Sequence, residues 1–364
     1  MPKVSVILPV YNVEKYIREA LDSVVNQTLR DIEIICVDDC STDNSYEILQ
    51  EYAQKDSRFV VLKQEVNQGP GVARNRGLDV ATGDYIMFLD PDDWYELDAC
   101  ESAYNQIVKN NNDFAYFNFS FFIEKEDRFY LDRARLKLFE KDIDNPHIRF
   151  SALDYQFWGF GECIYKIYKN SFLKQNFIKF GVERFCEDLF FYVHSVVCAN
   201  DVSILNKSLY NYRIHNNNTI FKPNYKDLLS VHIKNYETCK NSSNPEIFVN
   251  KYVVYSIKSL MYWYKQCGEF DSKIKKDFYS DIKMLYKKFI NEIGKDNIKK
   301  GLNKKAYKKF RKFVEYDFIK YNFQENMKYF IKQVFSIENH SKFGIKHKVI
   351  TILGIKIKIK MKER

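Results

Sequence analysis

Paired carboxylates stand at two points of the chain where an apolar run stops. Asp38-Asp39 end one run, and Asp90-Pro91-Asp92 end another. Two carboxylates separated by one residue suit a hard divalent cation such as Mn²⁺ or Mg²⁺, which prefers oxygen ligands and is commonly completed by substrate phosphates. A carboxylate at a strand end can also accept a hydrogen bond from an N–H of a base such as uracil. These residue types therefore indicate metal-assisted chemistry on a phosphate-bearing nucleotide.

Each of these residues also has an ordinary structural interpretation. Asp92 or Asp93 could cap a helix that begins near Trp94, because acidic side chains accept from the first N–H groups of a helix. Asp39 could belong to a turn, and Tyr11 could serve packing rather than stacking on a ligand. The choice depends on the elements around them.

The surrounding elements alternate between two hydrophobic periods. Short apolar runs predict strands, and runs with an apolar residue every three or four positions predict helices. The predicted strands cover 4–8, 32–37, 59–62 and 85–89, and the predicted helices cover 14–27, the segment after 41–44, and 71–81. Strands and helices alternating at this spacing predict a parallel α/β sheet with right-handed crossovers.

Ligands of such sheets bind at the carboxyl ends of the strands. The first strand ends at Pro9 and is followed by Tyr11, so both are candidates for contact with a nucleotide. Arg74 lies in the first turns of the helix that follows Gly69, where it could reach a phosphate or a base edge or simply face solvent. No G-x-G-x-x-G motif follows the first strand, and no G-x-x-x-x-G-K-[ST] motif occurs, which disfavours a dinucleotide fold and excludes a P-loop.

Composition narrows the class of protein. The 364 residues are 46% hydrophobic and 16% aromatic, enough for a sizeable core and roughly two domains. The eight cysteines form no C-x-x-C pair and no zinc-ligand spacing. The apolar run after Met1 is too short for a signal peptide, and no run of about 18 apolar residues occurs. We therefore expect a cytoplasmic chain with reduced thiols, and neither an integral membrane protein nor a disulfide-rich secreted one.

The second part of the chain is less regular. A strand is predicted over 113–122, a charged irregular stretch over 123–150, a helix around 187–199, and Lys- and Tyr-rich helices over 225–335. Residues 348–360 end in strict alternation of Ile and Lys, which predicts a basic amphipathic strand. The predicted domains are a catalytic domain over 1–222, with halves 1–110 and 111–222, a helical extension over 223–340, and a basic tail over 341–364.

Four segments in order resemble the family 2 glycosyltransferases: VSVILPVYN from Val4, VDDCSTD from Val37, ARNRG from Ala73, and FLDPDD from Phe88. The resemblance is dense over about residues 3–110. It implies the GT-A nucleotide-diphosphosugar fold, a UDP-sugar donor and an inverting reaction. It further implies that Asp39 binds uracil, that Arg74 lies near the nucleotide, and that Asp90 and Asp92 form the DxD pair, with Asp92 as the direct metal ligand.

Two later segments extend this resemblance. FCEDLF from Phe185 is similar to the family's ED motif, which makes Asp188 the expected general base and Glu187 a residue that orients it or contacts the acceptor. The alternative is a capping pair at a helix start. YRIH from Tyr212 resembles the R-x-H segment of relatives, which makes His215 a candidate ligand of the metal or contact of the diphosphate. The alternative is an exposed loop histidine.

Charge is divided unevenly along the chain. Residues 271–364 carry 26 Lys and Arg against 10 Asp and Glu, whereas the first 270 carry 31 against 38. The basic tail admits attachment to an anionic membrane surface, binding to nucleic acid, or a packed hairpin with solvated lysines. Strict Ile-Lys alternation is a poor nucleic-acid signature, so we expect a membrane surface and no nucleic acid.

These observations predict an inverting, metal-dependent enzyme that moves a hexose from a UDP-sugar to a glycan or lipid-linked acceptor. Galactose is the first guess for the sugar, and bacterial lipooligosaccharide or capsule synthesis is the expected context, at the inner face of the cytoplasmic membrane. One alternative is a sugar-nucleotide nucleotidyltransferase, although that enzyme needs a Gly-rich basic loop where Pro9 and Tyr11 stand. Another is a non-catalytic basic protein that binds membrane or nucleic acid.

Overall fold

The computed structural model describes residues 1–131, 148, 161–215, 224–266 and 272–322, and the backbone of 335–342, 345–352 and 355–360. The chain divides into two compact units, Met1–Ser259 and Leu260–Arg364. This division does not test the predicted domain bounds at 222 and 340, which stay a prediction.

The first half of unit one is a parallel α/β layer. Its strands are β1 (Val4–Val10), β2 (Ile32–Asp38), β3 (Phe59–Lys63) and β4 (Tyr85–Phe88), and its helices are α1 (Ile17–Val25), α2 (Ser45–Lys55) and α3 (Pro70–Val80). β1 pairs in parallel with both β2 and β4, and β2 pairs in parallel with β3. The carboxyl ends of β2 and β4, which carry the two acidic motifs, therefore lie at the same edge of the sheet.

Burial explains why these segments form the centre of the sheet. Every residue of β1 is buried, as expected for a parallel strand covered on both faces. Helix α1 packs through Ile17, Ala20, Leu21 and Val24, which recur at helical spacing. The predicted alternation of strands and helices is confirmed here, although α1 is shorter at both ends than the predicted 14–27.

The second half of unit one extends the sheet with strands in mixed directions, both antiparallel and parallel. Its elements are β5 (Trp94–Tyr95), α4 (Ala99–Asn110), β6 (Phe114–Ile123), a 3₁₀ turn (Glu124–Glu126), β7 (Arg128–Leu131), β8 (Lys166–Lys169), α5 (Asn170–Gln175), α6 (Glu187–Cys198) and β9 (Val202–Ile214). The strand order is β3-β2-β1-β4-β8-β6-β9-β5, with β7 paired to β6. No helix begins at Trp94, which instead starts strand β5, so the helix-cap interpretation of Asp92 and Asp93 is wrong.

Helices dominate the remainder. They are α7 (Tyr225–Lys240), α8 (Pro245–Gln266), α9 (Ser272–Ile293), α10 (Lys295–Gly301) and α11 (Lys304–Glu315). In unit two, Tyr264, Tyr279 and Phe313 pack ring against ring. Gly294 separates α9 from α10 with a φ of 79°, a conformation that favours glycine. No described helix is long and apolar enough to cross a bilayer.

The chain ends in a three-stranded antiparallel sheet. Its strands are β10 (Phe335–Lys342), β11 (Ile345–Ile352) and β12 (Ile355–Lys360), in that order. The predicted basic strand over 348–360 thus consists of two strands, because β11 pairs with both β10 and β12. The predicted irregular segment over 123–150 lies mostly outside the described residues.

Candidate active site

The DxD segment meets the R-x-H segment at the carboxyl edge of the sheet. A hydrogen bond of 2.9 Å joins Asp92 Oδ2 and His215 Nε2. His215 is not an exposed loop residue, since only 8% of it is accessible, and its ring centre lies 4.7 Å from that of Tyr16. The structure therefore brings together two of the predicted metal-site residues, whereas Asp90 has a different partner, described below.

Asp93, which sequence reasoning treated only as a possible cap, anchors this corner of the site. It is buried and accepts hydrogen bonds from the Tyr210 hydroxyl (2.5 Å) and the Arg213 main-chain N–H (2.7 Å). Burial, and then the charges of Asp92 and Asp90, raise the pKa of Asp93 well above its ordinary value. In the sequence, the only indication of this role is that a third acidic residue directly follows Asp90-Pro91-Asp92.

Arg213 completes the link between β9 and the DxD segment. Its Nε donates to the main-chain oxygen of Asp92 (2.9 Å), and a terminal nitrogen donates to Glu19 (2.5 Å). The guanidinium also lies 4.6 Å from the centre of the Trp94 ring. The strand that carries His215 is thereby tied to the loop that carries Asp92.

Arg74 joins the DxD segment to the ED segment. Its Nη2 donates to Asp90 Oδ1 (2.6 Å) and its Nη1 donates to Glu187 Oε1 (2.5 Å). Arg74 is 5% exposed, so it is not on a solvated helix face. Burial raises the pKa of Asp90 and of Glu187, and the Arg74 charge opposes both rises. Hydrogen bonds of this charge-assisted kind hold planar groups in fixed directions.

Asp188 differs from its neighbour Glu187. Both residues lie in the first turn of α6, which begins at Glu187. Asp188 is half-buried, and among the described residues no hydrogen bond to its carboxylate is found. Burial and then the Glu187 charge raise the pKa of Asp188 well above its ordinary value. A carboxylate with a raised pKa and no hydrogen bond from the described residues has the properties expected of a general base.

Asp39 is buried at the end of β2 and already holds protein groups. It accepts hydrogen bonds from Gln64 Nε2 (2.5 Å) and from the N–H groups of Gln68 (2.7 Å) and Gly69 (2.7 Å). The carboxylate therefore shapes the turn that precedes α3, where Gly69 has a φ of 93°. Its predicted contact with uracil stays a prediction.

The two remaining nucleotide-side candidates have contrasting environments. Tyr11 is 46% exposed directly after β1, so its ring is accessible to a ligand. Pro9 is buried within β1, opposite Val37 of β2. Pro9 can therefore act only through the path of the strand, and the nucleotide contact of both residues stays a prediction.

The described residues provide only some of the ligands that a divalent cation needs. Across the part of the chain that the structure describes, no group of three or more His, Cys, Asp or Glu side chains could hold a metal ion. Asp92 and His215 provide two adjacent donor atoms, and Mg²⁺ typically takes one or two protein carboxylates, with phosphates and water completing its shell. The pair fits a cation held jointly by the protein and its substrate.

Comparison with known proteins identifies the family. Residues 5–179 match the profile of "Glycosyl transferase family 2". The chain is 36% identical over 240 residues to EpsH of Bacillus subtilis, whose name marks it as a candidate glycosyltransferase, and the match covers 65% of this chain and 68% of EpsH. The chain belongs to glycosyl transferase family 2.

A second relative is much longer than this chain. The chain is 38% identical over 221 residues to the glycosyltransferase GlyA of Streptococcus pneumoniae, a match that covers 58% of this chain and 30% of GlyA. The chain thus spans less than a third of that relative's length. The sequence motifs predicted a glycosyltransferase of family 2, and the comparison confirms that prediction.

A solved structure confirms the predicted fold. The crystal structure of S. aureus TarS 1–349 in complex with UDP-GlcNAc superposes with a TM-score of 0.74 at 20% identity, covering 99% of this chain and 100% of that one. At this identity the likeness concerns the fold alone. The predicted GT-A architecture, a mixed α/β sheet flanked by helices and followed by a helical region, is therefore confirmed.

Proposed function

We propose that this family 2 member is an inverting glycosyltransferase that moves a sugar from a UDP-sugar to a hydroxyl of a glycan or lipid-linked acceptor. One observation carries the proposal: Arg74 pairs with Asp90 of the DxD segment and with Glu187 of the ED segment. The two acidic motifs, nearly a hundred residues apart in sequence, are thus parts of a single site. In this proposal, the part of the site that carries Asp90 binds the donor, and the part that carries Glu187 and Asp188 holds the base.

The reaction follows from the Asp188 carboxylate, which accepts no hydrogen bond from the residues that the structure describes. The oxygen of the acceptor hydroxyl attacks C1 of the donor sugar, and Asp188 accepts the proton that this hydroxyl loses. The bond between C1 and the diphosphate oxygen breaks in the same displacement, UDP departs, and the configuration at C1 inverts. Glu187 is held by Arg74 and so orients the first turn of α6 rather than taking the proton.

A divalent ion, Mn²⁺ or Mg²⁺, would be held by Asp92 and His215 and would stabilise negative charge on the departing diphosphate. Asp90 was also predicted as a ligand, and its Oδ1 already accepts from Arg74. We therefore assign Asp90 mainly to the Arg74 bridge. Asp93 and Arg213 hold Asp92 and His215 in place.

UDP as the donor nucleotide is supported by the sequence motifs and by the UDP-GlcNAc bound in TarS. Asp39 and Tyr11 are the proposed contacts of the uracil ring, and Pro9 shapes the strand end below them. Galactose remains the first guess for the transferred sugar.

The acceptor side of the proposal concerns surface glycans. We propose a glycan or lipid-linked acceptor of the kind used in bacterial lipooligosaccharide or capsule synthesis, reached from the cytoplasm at the membrane surface. The supporting feature is the excess of basic residues after residue 270, because cations near an anionic bilayer each contribute about 1 kcal/mol of binding. Loss of binding to anionic vesicles on deletion of 341–364 would support this role.

The test is UDP release from UDP-glucose, UDP-galactose and UDP-GlcNAc with Mn²⁺, and with EDTA in its place. We expect release from one donor, dependent on the metal and abolished in Asp92→Asn. Asp188→Asn should lose transfer to an acceptor and keep binding of the donor.

Two results would contradict the proposal. Full transfer by Asp188→Asn would remove Asp188 as the base, and undiminished release in EDTA would remove the metal. Glu96→Gln, which changes a surface carboxylate that accepts one hydrogen bond from Asn211, is the matched control and should keep full activity.

A further inference from the structure

An arginine outside both acidic motifs lies against the turn that precedes α3. Arg184 Nη2 donates a hydrogen bond of 2.9 Å to the main-chain oxygen of Asn67. A Cβ at Gly69 would lie 3.3 Å from Arg184 Cγ, so the aliphatic part of this side chain is in close contact with Gly69. The N–H of Gly69 donates in turn to Asp39 (2.7 Å). Arg184 is therefore held beside the carboxylate that is the proposed contact of uracil.

The main chain around Arg184 is fixed from two directions. Its own N–H donates to Asp227 Oδ2 (3.1 Å), in the first turn of α7. The preceding residue, Glu183, is buried and accepts a hydrogen bond from Lys234 Nζ (2.5 Å), also on α7. On the other side the segment packs on the start of α3, because a Cβ at Gly71 would collide with the main-chain oxygen three residues before Arg184. The Arg184 side chain thus extends from a well-anchored backbone.

The Arg184 guanidinium has donors left for a ligand. Arg184 is exposed, and among the described residues its side chain makes the one hydrogen bond to Asn67 and no ion pair. A guanidinium has five N–H donors in a fixed plane. Arg74, which the motifs predicted near the nucleotide, is 5% exposed and already donates to Asp90 and Glu187. Of these two arginines, Arg184 is the one whose donors are accessible to a nucleotide.

We propose that Arg184 donates a hydrogen bond to a carbonyl oxygen of the uracil ring, next to the N–H that is proposed to donate to Asp39. In uracil the N3–H stands between two carbonyl groups, so a carboxylate and a neighbouring guanidinium match adjacent atoms of the ring edge. Cytosine has no N3–H and carries an amino group in place of one carbonyl, so the same two side chains would disfavour it. This inference rests on the proposed function, because it assumes a uridine nucleotide at Asp39.

The place of Arg184 in the fold favours the base over the diphosphate as its ligand. Arg184 contacts the turn that Asp39 holds at the end of β2. The diphosphate is proposed to lie at Asp92, which follows β4, and β1 separates β2 from β4 in the sheet. A contact with the base also predicts a dependence on the identity of one ring atom, which a phosphate contact does not.

The experiment measures the dissociation constants of UDP, 4-thio-UDP and 2-thio-UDP by calorimetric titration with Mg²⁺ present. Sulfur accepts hydrogen bonds more weakly than oxygen, so wild type should bind one thio analogue less tightly than UDP. We expect Arg184→Gln to weaken UDP binding about tenfold, the effect of losing one hydrogen bond from a charged group. We also expect Arg184→Gln to bind UDP and that analogue about equally, because the contact that distinguishes them is gone.

Arg30→Gln is the matched control. Arg30 is also exposed and donates to a main-chain oxygen, that of Val25 (3.2 Å), but it precedes β2 and so lies at the opposite edge of the sheet from Asp39. Arg30→Gln should bind all three nucleotides as wild type does.

Three outcomes would overturn the inference. Unchanged UDP affinity in Arg184→Gln would remove the contact. A wild type that binds both thio analogues as tightly as UDP would show that no carbonyl oxygen is recognised. Equal weakening of all three nucleotides in Arg184→Gln would mean that Arg184 contacts a phosphate or only shapes the turn at Gly69.

The failure of this inference is distinguishable from that of the proposed function. If wild type binds UDP and turns over a UDP-sugar while Arg184→Gln keeps the wild-type ratio of affinities, the donor assignment stands and only the Arg184 contact fails. If wild type binds GDP or CDP in preference to UDP, both proposals are rejected together.

Discussion

The two acidic motifs of the site share one arrangement. In the DxD segment, Asp93 is buried and satisfied by Tyr210 and Arg213, whereas Asp92 faces His215 with a partly exposed carboxylate. In the ED segment, Glu187 is buried against Arg74, whereas Asp188 has no hydrogen bond among the described residues.

In each motif, one carboxylate (Asp93 or Glu187) is buried and hydrogen-bonded within the protein. The residue next to it (Asp92 or Asp188) is available to substrate. Consecutive acidic residues allow this division because adjacent side chains point in different directions from a tight strand end or helix start. The comparison predicts that the two substitutions within one motif affect different properties of the protein. Removing the available carboxylate should affect chemistry, and removing the satisfied one should affect stability and geometry.

The largest expected effect is on the chemical step. Asp188→Asn should lower kcat for sugar transfer by about 10³-fold, within the range typical of losing a general base. The KM for the UDP-sugar should change little, since no donor contact is removed. Steady-state UDP release with acceptor measures this, and a loss below tenfold would exclude Asp188 as the base.

The second effect contrasts the stability of two variants of α6. Among the described residues, Glu187→Ala leaves Asp90 as the remaining ion-pair partner of the buried Arg74 guanidinium. The variant should reduce the free energy of unfolding by about 3 kcal/mol, as expected when one partner of a buried ion pair is removed. Asp188→Asn should leave stability unchanged or higher, because burial and the Glu187 charge disfavour its charged form.

Thermal and urea unfolding of the full chain measure both variants. Equal destabilisation by Glu187→Ala and Asp188→Asn would show that the two carboxylates have the same structural role. The division of labour within the ED motif would then be wrong.

The third effect concerns the support of the proposed metal site. Asp93→Asn removes the charge that accepts from Tyr210 and from the Arg213 N–H, so β9 and the DxD loop should separate slightly. Groups that orient metal ligands typically change metal affinity by 10–100-fold when altered. We expect about tenfold weaker Mn²⁺ binding, measured by the EPR signal of free Mn²⁺.

Asp79→Asn is the control for that measurement, because Asp79 pairs with Lys179 at the surface and leaves the DxD loop intact. Unchanged Mn²⁺ affinity in Asp93→Asn would mean that Asp93 stabilises the fold without positioning Asp92. Loss of Mn²⁺ binding in both Asp93→Asn and Asp79→Asn would indicate a general loss of structure.

Local sequence patterns predicted the elements and the motifs but not the contacts between them. The apolar runs place β1 and β2 well, since buried parallel strands depend on hydrophobic composition. The Arg74–Glu187 pair links residues 113 positions apart, and no local pattern reports such a contact. Asp93 was misjudged for the same reason, because its partners Tyr210 and Arg213 come from β9.

The smallest expected effect is the pH dependence of the reaction. The general base must be deprotonated to act, so kcat/KM should fall as the pH is lowered through the pKa of Asp188. Burial and the Glu187 charge raise that pKa above the ordinary value of about 4, so the acidic limb should lie at higher pH than for an exposed Asp. Replacing Glu187 by Gln removes its negative charge and should move the limb to lower pH, whereas Glu96→Gln should not. If the acidic limb of the pH dependence of kcat/KM does not move in Glu187→Gln, the Glu187 charge does not influence the pKa of Asp188.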